Sequence, residues 1–460
     1  MPYSGSTGGI LSNYDEVLKT FYLPAIQDQL NQDNILSDLI DVNEKDISGK
    51  NAKIECHYGR TKGLGARADG GGLPEGDYQK FKQATVGMKY NYGRVVFSGP
   101  TIAATRDEKG AYARVVDREI TGIVQDMQKE INRQLWGCGY GVLARWLTGA
   151  GTTVTVQKKY RGNTVGGDGF GSTFGAKYLE EISSGVWNIP NSATAAITTM
   201  TVGTTDIADT TWAVVESDDY DTITVADTST PIGGTYIVRK GSSRTGTAST
   251  AAGYARLEMM GLRGIVTDED LDQIAVFNAS VAGFGVNDPF QGLATATYTW
   301  WKANIDKHAS GRYAGQRALN LTLFQKMFDK VEKKAGKEYG PDLILTTAAI
   351  RREYIELMLA DRRQVNEMKI EGGWKGISYN GVMFYVDPND AIDGEIYFLT
   401  TRDLQLYRMS DYDWMSKDGA VLSRLSGYDA YEAVLFRYAE LGCNRRNSQG
   451  VICDLAYDAT

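Results

Sequence analysis

Histidine is the scarcest chemistry-bearing residue of this chain: only His57 and His308 occur in 460 residues. A multi-histidine metal centre would need both, and they lie about 250 positions apart in unrelated surroundings. Cysteine is nearly as rare. Cys56, Cys138, Cys443 and Cys453 show no CxxC spacing and are too sparse for a disulfide framework, which fits a reducing compartment. Cys443 and Cys453 read as buried structural thiols, and His57, alternating outward on a strand, as a surface histidine. Proline contributes 9 residues, about 2% where about 5% is usual, so the chain is not a proline-rich linker or tail. No stretch approaches 18 uninterrupted apolar residues, and the start, Met1-Pro-Tyr-Ser-Gly-Ser6, has neither a basic nor an apolar leader segment. The expectation is a protein that is neither exported nor membrane-spanning, so the two sequons at Asn278 and Asn320 are read as chance matches.

Motifs for nucleotide chemistry and nucleophilic catalysis are missing as well. There is no Walker A sequence and no GxSxG elbow. Gly63-Leu-Gly65-Ala-Arg-Ala68 fits a relaxed GxGxxA pattern, but Asp69-Gly-Gly-Gly-Leu-Pro74 follows where a helix N-terminus would have to meet the phosphates. The acidic cluster Asp268, Glu269, Asp270, Asp272 lacks the glycine and distal glutamate of a calcium loop and reads as a solvated helix start. Asp218, Asp219 and Asp221 read as a turn. The basic pairs Arg351-Arg352, Arg362-Arg363 and Arg445-Arg446 are isolated in a chain with 57 acidic and 49 basic residues, a net charge of −8. That argues against a sequence-specific nucleic-acid reader, although a mildly acidic wall can enclose DNA without gripping it. No catalytic residue, cofactor site or metal site emerges.

What the chain does have is glycine, 52 residues, within an ordinary soluble composition of 42% apolar and 23% charged residues. Its length suggests about three modules. Residues 1–50 form a polar arm with one amphipathic stretch, 14–30, interrupted at Pro24. Ile54, Cys56 and Tyr58 then alternate with polar residues as a strand does, and Val86, Met88, Tyr90 and Tyr92 mirror them, closing through Val95, Val96 and Phe97. Between the two runs lies a charged, glycine-rich tip, residues 61–85, so the whole predicts a long two-stranded hairpin. Such a hairpin is marginal alone and needs something to lie on. A surface loop and an extended arm on a neighbouring subunit are the two readings of it.

The strongest helix signal begins near Asp107 and runs to Trp136, with Val116, Ile120, Ile123, Met127, Ile131 and Leu135 spaced by three or four. Polar residues including Arg114, Lys129, Asn132 and Arg133 fall largely on the other faces, and Gly137, Gly139 and Gly141 end it. Residues 151–261 turn to Thr, Ser, Gly, Ala and Val in short alternating runs, a β-rich segment. Thr267 and Asp270 suggest a capped helix through Phe277. The last third alternates helix and strand: helices over 319–334 and 348–361, a buried strand at 341–346, a hairpin over 377–386 around Asn380-Gly381, and strands at 395–399 and 404–408. The fold class is α+β.

This order of parts resembles the major capsid proteins of tailed bacteriophages, whose Hong Kong 97-type fold is shared with encapsulins. The stretches that carry the resemblance are Gly72-Leu-Pro-Glu-Gly76, residues 95–105, Ile131-Asn-Arg-Gln-Leu-Trp-Gly137 at the helix end, and Gly427-Tyr-Asp-Ala-Tyr-Glu432 followed by Tyr438-Ala-Glu-Leu441 and Cys443-Asn-Arg-Arg446. The resemblance implies an N-terminal arm over 1–50, an E-loop hairpin over 51–99, and the spine helix of a peripheral domain over 100–150. It further implies a β-rich peripheral segment with room for an inserted subdomain over 151–261, an axial domain over 262–410, and a return to the peripheral domain over 411–460. Inter-subunit contacts are then expected at Arg60, Lys62, Arg67, Asp69, Leu73, Pro74, Glu75, Tyr78, Lys80 and Phe81, with the spine residues named above packing the helix.

The implied function is a non-enzymatic shell of hexamers and pentamers around double-stranded DNA, without a membrane or cofactor. Portal, scaffolding and decoration proteins are the implied partners, and a virion assembled in host cytoplasm the implied location. Some such proteins join a lysine to an asparagine across subunits; Lys62, Lys80 and Lys82 lie in the hairpin, and no asparagine can be paired with them. The rival readings are an encapsulin-like compartment, a polymer-acting enzyme with a β-rich binding module, and a tail or sheath protein.

Overall fold

The computed structural model describes residues 36, 39–49, 51–98 and 109–139, the backbone of short strands between 142 and 255, and residues 256–268, 289–309, 317–360, 367–369, 375–387, 391–392, 394–416 and 423–456. Side chains of the long helix are described from residue 120, with the exception of 126 and 129. The amphipathic stretch 14–30 and the capped helix expected through Phe277 lie outside the described residues.

Two mixed sheets organise the chain. The first is built on the strand Ala430–Cys443, whose side chains largely alternate between buried and half-buried until a continuously buried end. Leu404–Trp414 pairs with it antiparallel on one side, Leu404 opposite Cys443, and Asp41–Asn43 adds a parallel edge. On the other side Lys89–Ser98 runs antiparallel over ten partners, from Ala430 opposite Ser98 to Ala439 opposite Lys89. The second sheet has seven strands in the order Asn304–Asp306, Gly450–Ile452, Ile396–Leu399, Leu343–Thr346, Val382–Val386, Lys375–Tyr379, Glu367–Lys369. Leu343–Thr346 and Ile396–Leu399 at its centre are buried throughout, which is why they read as continuous apolar runs and not as alternations.

The helix Leu321–Ala335 packs on this second sheet through Phe324, Met327, Phe328 and Val331, an i, i+3, i+4, i+7 set, and Asn320 caps it by accepting from the Leu323 amide at 3.1 Å. Ala348–Ala360 is the second helix there, with Tyr354 stacked on Phe384 at 5.0 Å. The expected Asn-Gly turn is present: Asn380 at φ 51° and Gly381 at φ 82° join the two strands as a type I′ turn requires. Every helix and strand expected in the last third is thus formed, and the strand from Leu404 extends further than its pattern suggested.

The expected single return strand of the long hairpin is two strands. Asn51–Gly59 pairs antiparallel with Lys80–Gly87, whereas Lys89–Ser98 leaves the hairpin and joins Ala430–Cys443. Buried Met88 stands at the break between them. The alternation of side chains runs on through both strands, so period alone could not show where the partner changes.

The long helix, Lys109–Trp136, buries Ile120, Val124, Met127, Ile131, Leu135 and Trp136 in the main core, with Ile123 packed at its margin. Gly137 donates to the Arg133 carbonyl at 3.1 Å, and Gly139 takes φ +82°, ending the helix as the sequence suggested. The chain returns against this end at Gly261. A Cβ there would stand 2.3 Å from the Gln134 carbonyl oxygen and 2.5 Å from that of Leu135, so only glycine permits the approach. In the β-rich segment, Val142–Ala150, Thr153–Gln157, Trp187–Asn191, Ala196–Met200, Tyr220–Thr224 and Tyr236–Arg239 form one six-stranded sheet. Asp221, expected in a turn, lies in the strand opposite Val156.

Candidate functional site

Two features stand out from a routine α+β core: a hairpin whose tip turns its apolar groups to solvent, and a charged knot inside the protein at the end of the long helix. The paired strands of the hairpin are anchored on the body of the protein up to Tyr58. Ala52, Cys56, Ala84 and Val86 are buried, and Tyr58 stacks on Trp300 at 5.2 Å with the rings 10° from parallel. On the neighbouring position His57 packs on Phe81 at 4.9 Å and its Nε2 shares a hydrogen bond with Gln79 Oε1 at 2.9 Å. His57 itself is exposed, as its place in the alternation indicated.

Beyond Gly59 and Lys80 the tip holds itself together by bonds to itself. Thr61 Oγ1 donates to the Asp77 carbonyl at 2.9 Å, the Lys62 and Tyr78 amides donate to the Asp77 carboxylate at 3.0 and 2.9 Å, and Arg67 Nε donates to the Gly72 carbonyl at 3.0 Å. Those two amides hold the Asp77 carboxyl below its ordinary range. Of the ten residues expected to make contacts, Arg60, Lys62, Arg67, Asp69, Leu73, Glu75, Tyr78 and Phe81 are exposed and Pro74 and Lys80 half-buried. Leu73 is 90% exposed, Leu64 79%, Tyr78 77% and Phe81 61%, so the tip carries apolar area that the chain's own core does not cover.

At the helix end the arrangement is inverted. Arg133, read from the sequence as an outward residue, is fully buried: its guanidinium bonds both oxygens of Glu130, through Nε at 3.1 Å and through Nη2, and reaches Glu258 at 2.6 Å. Burial opposes its charge, and the two carboxylates more than offset this, raising its pKa well above the ordinary value. Asn132, also expected to face outward, is buried beside Asp387, which accepts from the Trp136 indole at 2.8 Å. Gln134 bridges Glu130 to Asn91 of the central sheet. Glu130 and Arg133 stand at i, i+3, which the sequence displays, but Glu258 lies 125 positions away and no local pattern announces it. Of the six expected spine residues, Ile120, Met127, Ile131 and Leu135 are buried, Ile123 is partly buried, and the side chain of Val116 lies outside the described residues.

Next to this knot a cavity of about 290 Å³ opens between the hairpin base and the central sheet, lined by Lys89, Arg256, Gln291 and Glu440 among others. Glu440 accepts from the Met260 and Leu441 amides at 2.5 and 3.1 Å. Burial pushes its carboxyl up, with Lys89 and Arg256 acting against the rise. Arg446, of the isolated basic pair Arg445-Arg446, is likewise buried and donates to the Ile265 carbonyl at 2.7 Å. All four cysteines are buried and unbridged. Among the described residues no group of three or more His, Cys, Asp or Glu is placed to hold a metal ion, and no helix is long and apolar enough to cross a membrane.

No protein-family model matches the chain, and no curated protein matches it by sequence. Solved structures do match it by shape. A chain of the cyanophage A-1(L) capsid asymmetric unit aligns over 92% of this protein and 92% of itself, with a TM-score of 0.51 and 12% sequence identity. The fold is that of a phage capsid protein. The capsid of Myoviridae phage XM1 matches over 92% of this chain and 91% of its own, at 6% identity and a TM-score of 0.41. A subunit of an encapsulin from Synechococcus elongatus covers 34% of this chain and 55% of its own, at 10% identity and a TM-score of 0.25. The α+β class and the capsid likeness expected from the order of parts therefore hold at the level of the fold.

Proposed function

We propose that this chain is a major capsid protein that assembles into hexamers and pentamers and closes a shell around double-stranded DNA. The carrying observation is the hairpin tip, which has hydrogen bonds of its own but leaves Leu64, Leu73, Tyr78 and Phe81 in solvent. On this reading the hairpin, residues 51–87, is the E-loop, and the tip residues Arg60, Lys62, Arg67, Asp69, Leu73, Pro74, Glu75, Tyr78, Lys80 and Phe81 lie on an adjacent subunit. The helix Lys109–Trp136 is the spine of a peripheral domain that residues 411–460 rejoin, 262–410 form the axial domain, and residues 1–50 are an arm.

Ordering an arm or loop costs about 1–2 kcal/mol per residue in backbone entropy, and burial on a neighbour offsets it. Contacts of this kind are heterologous, closing into rings, and a subunit that makes several at once gains from each without any single one being strong. Portal, scaffolding and decoration proteins would meet the finished lattice, in host cytoplasm.

Negative-stain microscopy of the purified chain tests the reading. Closed shells that copurify with DNA support it; a protein cargo instead of DNA gives the compartment reading, and tubes give a sheath. A monomer at every concentration and salt overturns all three. Denaturing electrophoresis of the particles tests a covalent weld at Lys62, Lys80 or Lys82, and bands only at the monomer position would exclude one.

A further inference from the structure

Asp306, at the end of the edge strand Asn304–Asp306, is surrounded by more cations than it can neutralise. Its carboxylate meets Arg317 at 2.7 Å, Lys326 at 2.8 Å and Lys330 at 2.9 Å, while its own side chain is only 3% exposed. The three cations hold it well below the usual carboxylate range despite its burial. Lys326 and Lys330 belong to a row that continues to Lys334, one helical turn apart at each step on Leu321–Ala335. Partial desolvation, opposed by Asp268 and aided by the field of Lys330 and Lys302, holds Lys334 below the ordinary lysine value. Lys307, beside them, pairs with Asp268 at 3.5 Å.

Six cations, Lys302, Lys307, Arg317, Lys326, Lys330 and Lys334, thus gather around two carboxylates paired with them among the described residues, Asp268 and Asp306. This happens in a chain whose net charge is −8. Like charges a turn apart on a helix repel, so the row carries a cost that an external anion relieves.

We infer that this face of the helix Leu321–Ala335 is a docking surface for the phosphate backbone of duplex nucleic acid. Three observations favour a polyphosphate over a single small anion or an aromatic-stacked base. The row from Lys326 to Lys334 covers about 12 Å at 1.5 Å per residue, the axial span of three to four phosphates of one strand. Its charges are ammonium groups, which hold phosphates as point charges and read no sequence. Lys326 is 53% exposed and Lys330 36%, so both keep a side open to a ligand while touching Asp306. Asp306 then acts as the positioning residue that aligns three cations on one anchor.

The inference is joined to the shell reading because the duplex is the polymer such a shell encloses, but its test is separate. Binding of a short fluorescent DNA duplex to the full purified chain is measured by anisotropy across a salt series, for the natural protein and for K330Q/K334Q. The expected result is a loss of affinity of about tenfold near physiological salt, with the slope of log affinity against log salt flatter by about 1.8, two phosphate contacts' worth. The variant K45Q/K53Q, which removes the same charge from exposed sites elsewhere, should shift affinity less than threefold.

Equal losses in the two variants would overturn the inference, since net charge alone would then explain binding. So would unchanged DNA binding in K330Q/K334Q, including the case where subunit assembly weakens instead and the row faces an acidic patch of another copy. Circular dichroism of both variants verifies folding, and K330R/K334R, which keeps the charge, should restore binding if the first variant is merely unstable. Failure of the shell reading would appear differently, as the absence of particles with duplex binding intact.

Discussion

The hairpin tip and the end of the long helix are opposites. At the tip Leu64 and Leu73 stand in water; at the helix end Arg133, at 1% exposure, and its two carboxylate partners are shut inside. Each inverts the usual placement of its residue types, and each does so for a different reason. The buried ions are satisfied within the chain, because two glutamates close around one guanidinium and Gln134 donates to one of them. The exposed leucines have no such completion. One region is finished by its own fold, and the other has surface to give away.

Removing the tip separates the two most sharply. The Gly63 and Glu75 backbones run side by side, with a Cβ on Gly63 only 3.0 Å from the Glu75 carbonyl, so an Asn-Gly turn can replace residues 64–74. The thermal midpoint should move by no more than about 2 °C, while particle formation under the microscope is lost entirely. A large drop in the midpoint would mean that the tip is part of the chain's own core.

At the helix end the order reverses. Arg133→Ala strands two buried carboxylates and should cost about 3–5 kcal/mol in denaturant unfolding. Replacing the whole triad, with Glu130→Gln, Arg133→Met and Glu258→Gln, should recover part of that loss. If the triple variant is no better than the single one, the ions stabilise more than they cost to bury.

Asp306 lies between these extremes, a buried carboxylate whose cations are partly in water. Its folded pKa is depressed, so its contribution is complete above the unfolded value near 3.8 and is lost as pH falls through that value toward the lower folded one. Asp306→Asn should cost about 2 kcal/mol at neutral pH and remove the acid sensitivity assignable to this site. Unfolding curves of both proteins between pH 7 and about pH 2 measure the difference, which should shrink toward the acid end. A constant difference across that range would mean that the carboxylate's charge is not what stabilises it.

How much of this the sequence displayed depends on how local each cause is. Phe324, Met327, Phe328 and Val331 announce their helix by spacing alone, and Asn380-Gly381 announces its turn by backbone freedom. The tip's exposure was legible for the same reason: six glycines and many charges in 25 residues leave too little apolar surface for the tip to fold back on itself. The partner change at Met88 was not, because alternation fixes which face a side chain takes and says nothing of which strand lies beside it. Nor was the burial of Arg133 and Arg446. Their partners, Glu258 and the Ile265 carbonyl, are brought by the return of the chain at Gly261, a glycine whose role appears only once the helix end lies against it. The capsid likeness rested on the order of parts, which survives where identity has fallen to 12%.

The mildest change probes the tip itself. Leu73→Ser removes one exposed apolar side chain, 90% of it already in water, so folding should change by less than about 0.5 kcal/mol. Burying a leucine fully on a neighbour stabilises an assembly by about 2 kcal/mol for each subunit, and a lattice repeats that contact around every ring. The midpoint concentration for assembly, followed by light scattering, should therefore rise by at least tenfold while the unfolding curve of the dissociated subunit stays in place. Should the unfolding curve move and the assembly midpoint not, Leu73 belongs with the finished half of the molecule, and the contrast between tip and helix end fails at the residue where it is steepest.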